Sequence, residues 1–385
     1  MLHRKVVWLV LLFSIIYTLW QLVSPQQLLN QPRISSPESL LSNFQAQQLS
    51  SLEIMASIAT KMMRAAVVHA PGGPEVLILQ TIPIPTPQKG QVLMRVRAFG
   101  LNRAEMFTRQ GHSPGVKFPR VLGIEATGEV AAAPGGEFAE GAVVATVMGG
   151  MGRSFDGGYA EYTLVPASQV KEVKVKDIGW DVLGALPEMV QTAWGALFTS
   201  LQLKKGDRLL IRAGTSSVGL AAAAIAKHHG AFVVSTTRSE NRAQLLKESG
   251  AEDVIVDGGS IAEEARKRYP DGFDKILELV GVISLKDSMR TLKRGGVCCV
   301  AGIVGGRWVL EQFTPNEVIP TGTYLTTYGS SVEAFMETPL DEVAQLVKNG
   351  SIHIPIKTYR LDQIVEAHRD MEETSVGAKM VVLVD

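Results

Sequence analysis

Apolar and polar positions divide the chain into three regimes. The first is an eighteen-residue run, 6–23 (VVWLVLLFSIIYTLWQLV), in which only Ser14, Thr18 and Gln21 are polar. As a helix it would rise about 27 Å, close to the ~30 Å thickness of a hydrocarbon core. The second regime has no sustained period: Gln, Ser, Asn and Pro dominate to residue 62, as in a linker. The third begins at Met63. Residues 64–69, 76–79 and 92–99 (VLMRVRAF), then 121–133 and 142–147, are short apolar or alternating stretches broken by Gly and Pro, which predicts a mostly-β segment with 92–99 a half-buried strand. Later the rhythm changes. Strands are expected at 208–212, 232–236, 254–256, 275–279 and 297–301, with an alanine-rich helix at 218–229, another at 240–249, and helical stretches between most of the rest. Strands alternating with helices predict an α/β fold with a doubly wound parallel sheet of the Rossmann type.

The first strand–turn–helix of that sheet reads RLLIRAGTSSVGL over 208–220. Such a turn places free N–H groups at a helix N-terminus, where a dinucleotide pyrophosphate binds. The full G-x-G-x-x-G fingerprint is absent. Gly214 can bend the chain, Gly219 permits close helix–strand contact, and Thr215, Ser216, Ser217 and Val218 complete the expected phosphate cradle. The end of the next strand selects the nucleotide. NAD sites usually carry Asp or Glu there; this strand ends STTRS, with no carboxylate before Glu240. Thr236, Arg238 and Ser239 suit a 2′-phosphate, and Arg242 lies one helical turn on. The expected cofactor is therefore NADPH.

Composition narrows the picture. Lys plus Arg and Asp plus Glu both total 38, so a broad nucleic-acid surface is not expected. The two cysteines, Cys298 and Cys299, are adjacent in an apolar strand and read as buried thiols rather than a disulfide or metal site. His3-Arg4-Lys5 precedes the 6–23 run, which has three readings: a signal anchor, a cleaved signal peptide, or an upstream extension missing from the working protein. The anchor is favoured by length, and no A-x-A-like site precedes Gln26. Membrane association through a transmembrane helix at 6–23 is thus expected, with 1–24 the anchor and 25–62 the linker. Arg4 and Lys5 would hold the N-terminus in the cytosol and send the rest across. A cytoplasmic catalytic domain is nonetheless the expectation, and translation from Met55, Met62 or Met63 would reconcile the two.

Several stretches, in this order, resemble the medium-chain dehydrogenase/reductase superfamily, in its zinc-free quinone oxidoreductase and enoyl-reductase branch. They are MRAAVVHAPGGPEVL at 63–77, GLNRAEMFTRQG at 100–111, FPRVLGIEATGEV at 118–130, GGYAEYTLVP at 157–166, the cofactor turn, and the ending LDQIVEAHRDMEETSVGAKMVVLV. The resemblance implies a GroES-like substrate domain split into 63–186 and 333–385, around a Rossmann NADP-binding domain at 187–332. It also implies a cleft between them and a homodimer formed through a last strand near 324–329. Zinc-dependent relatives place Cys where this chain has Asn102 and His where it has Ile124, so no metal site is expected, and Glu125 is left a structural role, an ion pair under the cleft. Asn102 is then the expected catalytic residue, its amide holding a substrate oxygen or a cofactor hydroxyl. Thr192 matches a threonine near the nicotinamide ribose, and Ser216 a serine that touches the cofactor in part of the branch. Relatives often carry Tyr as proton donor, but those places hold Ser113 and Phe107, which leaves His112 as candidate relay or solvent water as the proton source. Asp257 stands where many relatives have a Tyr beside the adenosine.

Together these readings imply an NADPH-dependent, zinc-independent reductase passing hydride to a quinone or an α,β-unsaturated carbonyl. The alternatives are an enoyl-thioester reductase of a lipid or polyketide pathway and, in another class, a catalytically lapsed nucleotide-binding protein held at a membrane for interactions.

Overall fold

Two β-rich layers and one parallel sheet account for the strands of the computed structural model, which describes residues 61–373 and 376–385. The expected anchor helix at 6–23 lies outside the described residues. Among the described residues no helix is long and apolar enough to cross a membrane.

In chain order the strands are β1 (Met62–Val68), β2 (Ile78–Pro83), β3 (Gln91–Gly100), β4 (Arg120–Val121), β5 (Glu125–Ala132), β6 (Val143–Val147), β7 (Tyr162–Pro166) and β8 (Val170–Glu172). They continue with β9 (Arg208–Arg212), β10 (Phe232–Thr237), β11 (Asp253–Val256), β12 (Phe273–Glu278), β13 (Leu292–Val300), β14 (Tyr324–Thr327), β15 (Ile356–Arg360) and β16 (Lys379–Leu383). The second strand begins later than the apolar run at 76–79 indicates, because Pro74–Val76 closes a 3₁₀ turn first.

β9 to β14 form one six-stranded sheet in the order β11-β10-β9-β12-β13-β14, with every pairing parallel. The order reverses between β9 and β12, and ligands of such sheets bind outside the carboxyl ends of the strands at that switch point. Leu209, Leu210 and Ile211 of β9 are fully buried, as expected for a central strand covered on both faces. The helix Ser217–His228 covers one face; its run of alanines lets it lie close to the strands. Cys298 and Cys299 are both buried, one in the core on each side of the sheet, since successive strand residues point to opposite faces.

The remaining strands build the other lobe. A seven-stranded sheet runs β15-β16-β3-β5-β6-β8, with β7 also paired to β3, and a smaller sheet runs β2-β1-β4. The chain therefore leaves this lobe after β8, builds the parallel sheet, and returns with β15 and β16. β3 is more buried than its alternation predicts, because it pairs with β16, β5 and β7, and Gly184 of the helix Trp180–Ala185 rests against Ala98. Both lobes belong to one unit, Met62–Asp385.

Candidate active site in the interlobe cleft

The cleft follows from these two lobes meeting at the switch point. A cavity of about 480 Å³ opens there, within the range of small-molecule sites. Leu101, Asn102 and Arg103 are among those from the β-rich lobe, Met371, Gly377 and Met380 among those from the returning C-terminus, and most others come from the parallel sheet, its loops and the helix leading into it.

One end of the cavity is the cofactor turn. Ala213 has a positive φ of 58°, a left-handed conformation that costs a non-glycine residue free energy. The turn is held by β10: Ala213 N–H donates to the Thr236 hydroxyl at 3.2 Å, and Gly214 N–H to the Thr236 carbonyl at 2.9 Å. A Cβ on Gly219 would stand 2.7 Å from both the Ala213 and Gly214 carbonyl oxygens, so only glycine fits there. Ser216 caps the helix: its hydroxyl donates to the Ala213 carbonyl at 2.8 Å and accepts from Gly219 N–H at 3.2 Å. Ser216 thus shapes the cradle, and the helix-terminal donors that follow belong to Ser217 and Val218, both in the cavity wall. Thr215 and Ser216 line the cavity as well, while Gly214 and Gly219 act from behind it. The arrangement fits a dinucleotide pyrophosphate.

Beyond the end of β10 the wall carries Arg238 and Arg242. Ser239 is exposed and outside the wall, its hydroxyl donating to the Asn241 side-chain oxygen at 2.7 Å. Asp257 lines the cavity and is tied to Arg212, whose Nη2 donates to Oδ2 at 2.7 Å and whose Nη1 reaches Asp287 at 2.8 Å. That buried arginine, at the end of β9, holds the loop after β11 and the helix Leu285–Met289 against the switch point.

The other end of the cavity is a buried polar hub, where Glu125 finds the ion pair expected of it and Lys379 is the partner that sequence reading missed. Lys379 and Glu125 are both fully buried, with Nζ 2.8 Å from Oε1. Lys379 also donates to Asn102 Oδ1 at 2.7 Å, while Asn102 Nδ2 donates to Glu125 Oε1 at 2.8 Å. Glu125 Oε2 accepts the backbone N–H of Glu188 at 2.9 Å. Thr192, on the same helix Pro187–Trp194, donates to Glu188 Oε1 at 2.9 Å and meets the Ser330 hydroxyl at 2.9 Å. Asn102, Glu188 and Thr192 all line the cavity.

This geometry narrows the expected role of Asn102 to the second of its two alternatives, a cofactor hydroxyl. Its Nδ2 points at Glu125 and Glu105, so the amide has no proton to offer a substrate oxygen; its Oδ1 keeps one lone pair, enough to accept a hydroxyl. His112 is not brought to the cleft. It is exposed, outside the cavity wall, with its ring 6.3 Å from that of Phe107.

Burial governs the carboxyls. It pushes Glu105 up to about 7, reinforced by Glu125 and opposed by the Ile124 N–H that donates to it. Burial also raises Glu188, against the pull of Lys379. Both shifts favour the neutral carboxyl, which eases the crowding of three acids around one ammonium in a dry site.

The comparisons follow from this architecture. Residues 88–176 match the model described as alcohol dehydrogenase GroES-like domain, and residues 217–349 the model described as zinc-binding dehydrogenase. Human quinone oxidoreductase is 29% identical over 340 residues, spanning 84% of this chain and 98% of that protein. The 2-haloacrylate reductase of a Burkholderia species is 28% identical over 341 residues, spanning 84% and 99%. A mycobacterial protein solved in complex with NADPH superposes with a TM-score of 0.74 at 26% identity, covering 83% of this chain and 99% of that one.

The chain belongs to the medium-chain dehydrogenase/reductase superfamily. It is an oxidoreductase of the quinone oxidoreductase type, and its Rossmann fold binds a nicotinamide cofactor. The zinc of the matched model's description does not fit this superfamily member. Between Asn102 and Glu125 stands the Lys379 ammonium, already a cation, and among the described residues no three His, Cys, Asp or Glu side chains converge as metal ligands.

Two outcomes test the hub. Lys379→Met leaves Glu125 buried and uncompensated, and Glu125→Gln does the same to Lys379; each is expected to cost about 3–5 kcal/mol in urea unfolding. The double variant should lose clearly less than the sum; full additivity would show that the two charges do not interact. Glu105 gives a pH signature. Its folded carboxyl is raised, so the folded state binds the extra proton, and stability falls as pH rises from the ordinary glutamate value of 4.5 through about 7. Glu105→Gln should flatten that fall, worth on the order of 3 kcal/mol, in melting curves between pH 5 and 8. Parallel curves for the two proteins would refute the assignment.

Proposed function

We propose that the protein is an NADPH-dependent, zinc-independent reductase that transfers hydride to a quinone or an α,β-unsaturated carbonyl. The observation that carries this reading is the pair Arg238 and Arg242 in the cavity wall beyond β10, where an NAD-selective fold would present a carboxylate to the ribose. Guanidinium groups pair bidentately with phosphate, so this end of the wall suits a 2′-phosphate. The NADPH found in the mycobacterial neighbour agrees with it.

The residues divide the work by position. Ser217 and Val218 offer helix-terminal N–H groups to the pyrophosphate, with Thr215 beside them. Thr192 and Asn102 stand at the opposite end, where a nicotinamide ribose would meet a hydroxyl and an acceptor oxygen. The bound cofactor supplies the hydride. The protein supplies orientation and a largely apolar wall, including Val280, Ile283 and Ile303, that excludes water. With no Lewis acid in this design, the acceptor must arrive already activated by conjugation, as quinones and enones do. The names of the quinone oxidoreductases and the 2-haloacrylate reductase point to the same class of acceptor. Pairing of two copies through β14 belongs to this reading: β14 ends the six-stranded sheet, and its Tyr324 is exposed.

The test uses the full-length protein. NADPH and NADH are titrated by fluorescence, and 1,2-quinones, 1,4-quinones and enones are then added. NADPH should bind at least about tenfold tighter than NADH, and Arg238→Ala should remove most of that margin. Acceptor-dependent oxidation of NADPH completes the case. Binding without oxidation of NADPH by any acceptor would refute the reductase, and binding of neither nucleotide would refute the site.

A further inference from the structure

A third arginine reaches the same cavity from the opposite lobe. Arg103 opens the helix Arg103–Arg109, directly after Asn102, and shares the wall with Arg238 and Arg242. It is half-buried, and its Nε is buried without a hydrogen-bond partner. Among the described residues no salt bridge involves it within 4.0 Å. Two influences hold its guanidinium below the usual range: burial first, then the like charge of Arg238. Glu372 is the one acid that opposes them, and its carboxylate is engaged by Arg109 and, at 2.9 Å, by Gln110.

A desolvated guanidinium with a buried, unpaired N–H is costly unless a ligand brings an acceptor to it. The dinucleotide offers two anionic groups. The pyrophosphate belongs at the N-terminus of the helix Ser217–His228, away from the end of β10. The charge that Arg103 feels is that of Arg238, at the end of β10, where the 2′-phosphate would lie. Arg103 is also anchored. The residue before it, Asn102, is fixed by Lys379 and Glu125, so the side chain starts from a rigid point in the β-rich lobe.

We propose that Arg103 grips the 2′-phosphate of NADPH from the GroES-like lobe, opposite Arg238 and Arg242, so that the phosphate ties the two lobes together across the mouth of the cleft. The proposal rests on the NADPH reading above and adds to it a selectivity residue outside the Rossmann fold. NADH, without the phosphate, leaves the lobes untied.

The experiment measures affinity rather than turnover. Full-length protein carrying Arg103→Ala, Arg103→Gln or Arg103→Lys is titrated with NADPH and NADH, and with 2′,5′-ADP and 5′-ADP. The Ala and Gln variants should weaken NADPH and 2′,5′-ADP about tenfold and leave NADH and 5′-ADP within about twofold. The Lys variant, which keeps the charge but not the fork, should fall between. Equal loss for ligands with and without the 2′-phosphate would overturn the proposal, because the contact would then be to the pyrophosphate or to the wall itself. Unchanged NADPH affinity would overturn it too. Unmodified protein that binds NADPH and NADH alike would bring down the NADPH reading first, and the proposal with it. Retained discrimination in Arg103→Ala beside lost discrimination in Arg238→Ala would sink the Arg103 grip alone.

Discussion

The buried pair of Lys379 and Glu125 is the constraint on which the cleft depends. It joins three segments far apart in sequence: β16 at the C-terminus, β5 in the first part of the chain, and the helix Pro187–Trp194 that leads into the parallel sheet. Burying two charges is costly, and their attraction repays it only when the remaining donors and acceptors are also satisfied. Here they are. Lys379 spends its three protons on Glu125, Asn102 and the Leu101 carbonyl, and Glu125 accepts from Lys379, Asn102 and Glu188. A pair so placed specifies geometry more than it adds stability. It fixes Asn102, and with it the start of the helix that carries Arg103, against the first helix of the nucleotide-binding half.

The cofactor turn reaches the same end by another route. A dinucleotide loop needs a tight bend, close helix packing and exposed N–H groups, and three glycines usually supply them. This chain supplies them with Ala213 in a left-handed conformation, Thr236 holding the bend from the neighbouring strand, and Ser216 as helix cap. Gly219 keeps its place because a backbone carbonyl stands where a Cβ would go. The fingerprint is degenerate in sequence, yet the bend, the close packing and the exposed helix end are all present.

That contrast explains what was legible beforehand. The alternation of strands and helices is a local signal, so the parallel sheet and its turn can be read from 208–220 and its neighbours. The hub cannot. Lys379 and Glu125 are 254 residues apart, and nothing in the ending GAKMVVLV marks its lysine as buried. Asn102 stands at a helix N-terminus, yet its side chain makes no cap and turns into the hub instead. His112 drew attention as a titratable residue on a loop, but loops at a cleft edge carry more such residues than the cleft uses. Arg103 was passed over because one arginine beside a chosen asparagine has no pattern of its own; only the other lobe, folded against it, gives it a partner in charge.

One aromatic contact also spans the lobes. Phe107, from the β-rich lobe, meets Trp308, from the loop after β13, edge to face at a centroid distance of 5.9 Å. Trp308 is 67% exposed. A contact made across two lobes ties their separation to the packing of two side chains, because edge-to-face geometry holds only within a narrow range of ring distances. With Asn102 committed to Lys379 and Glu125, the inner wall offers little to orient a carbonyl by hydrogen bonding. The lobe spacing is set at two places: by the hub from within, and by this aromatic pair outside the cavity wall.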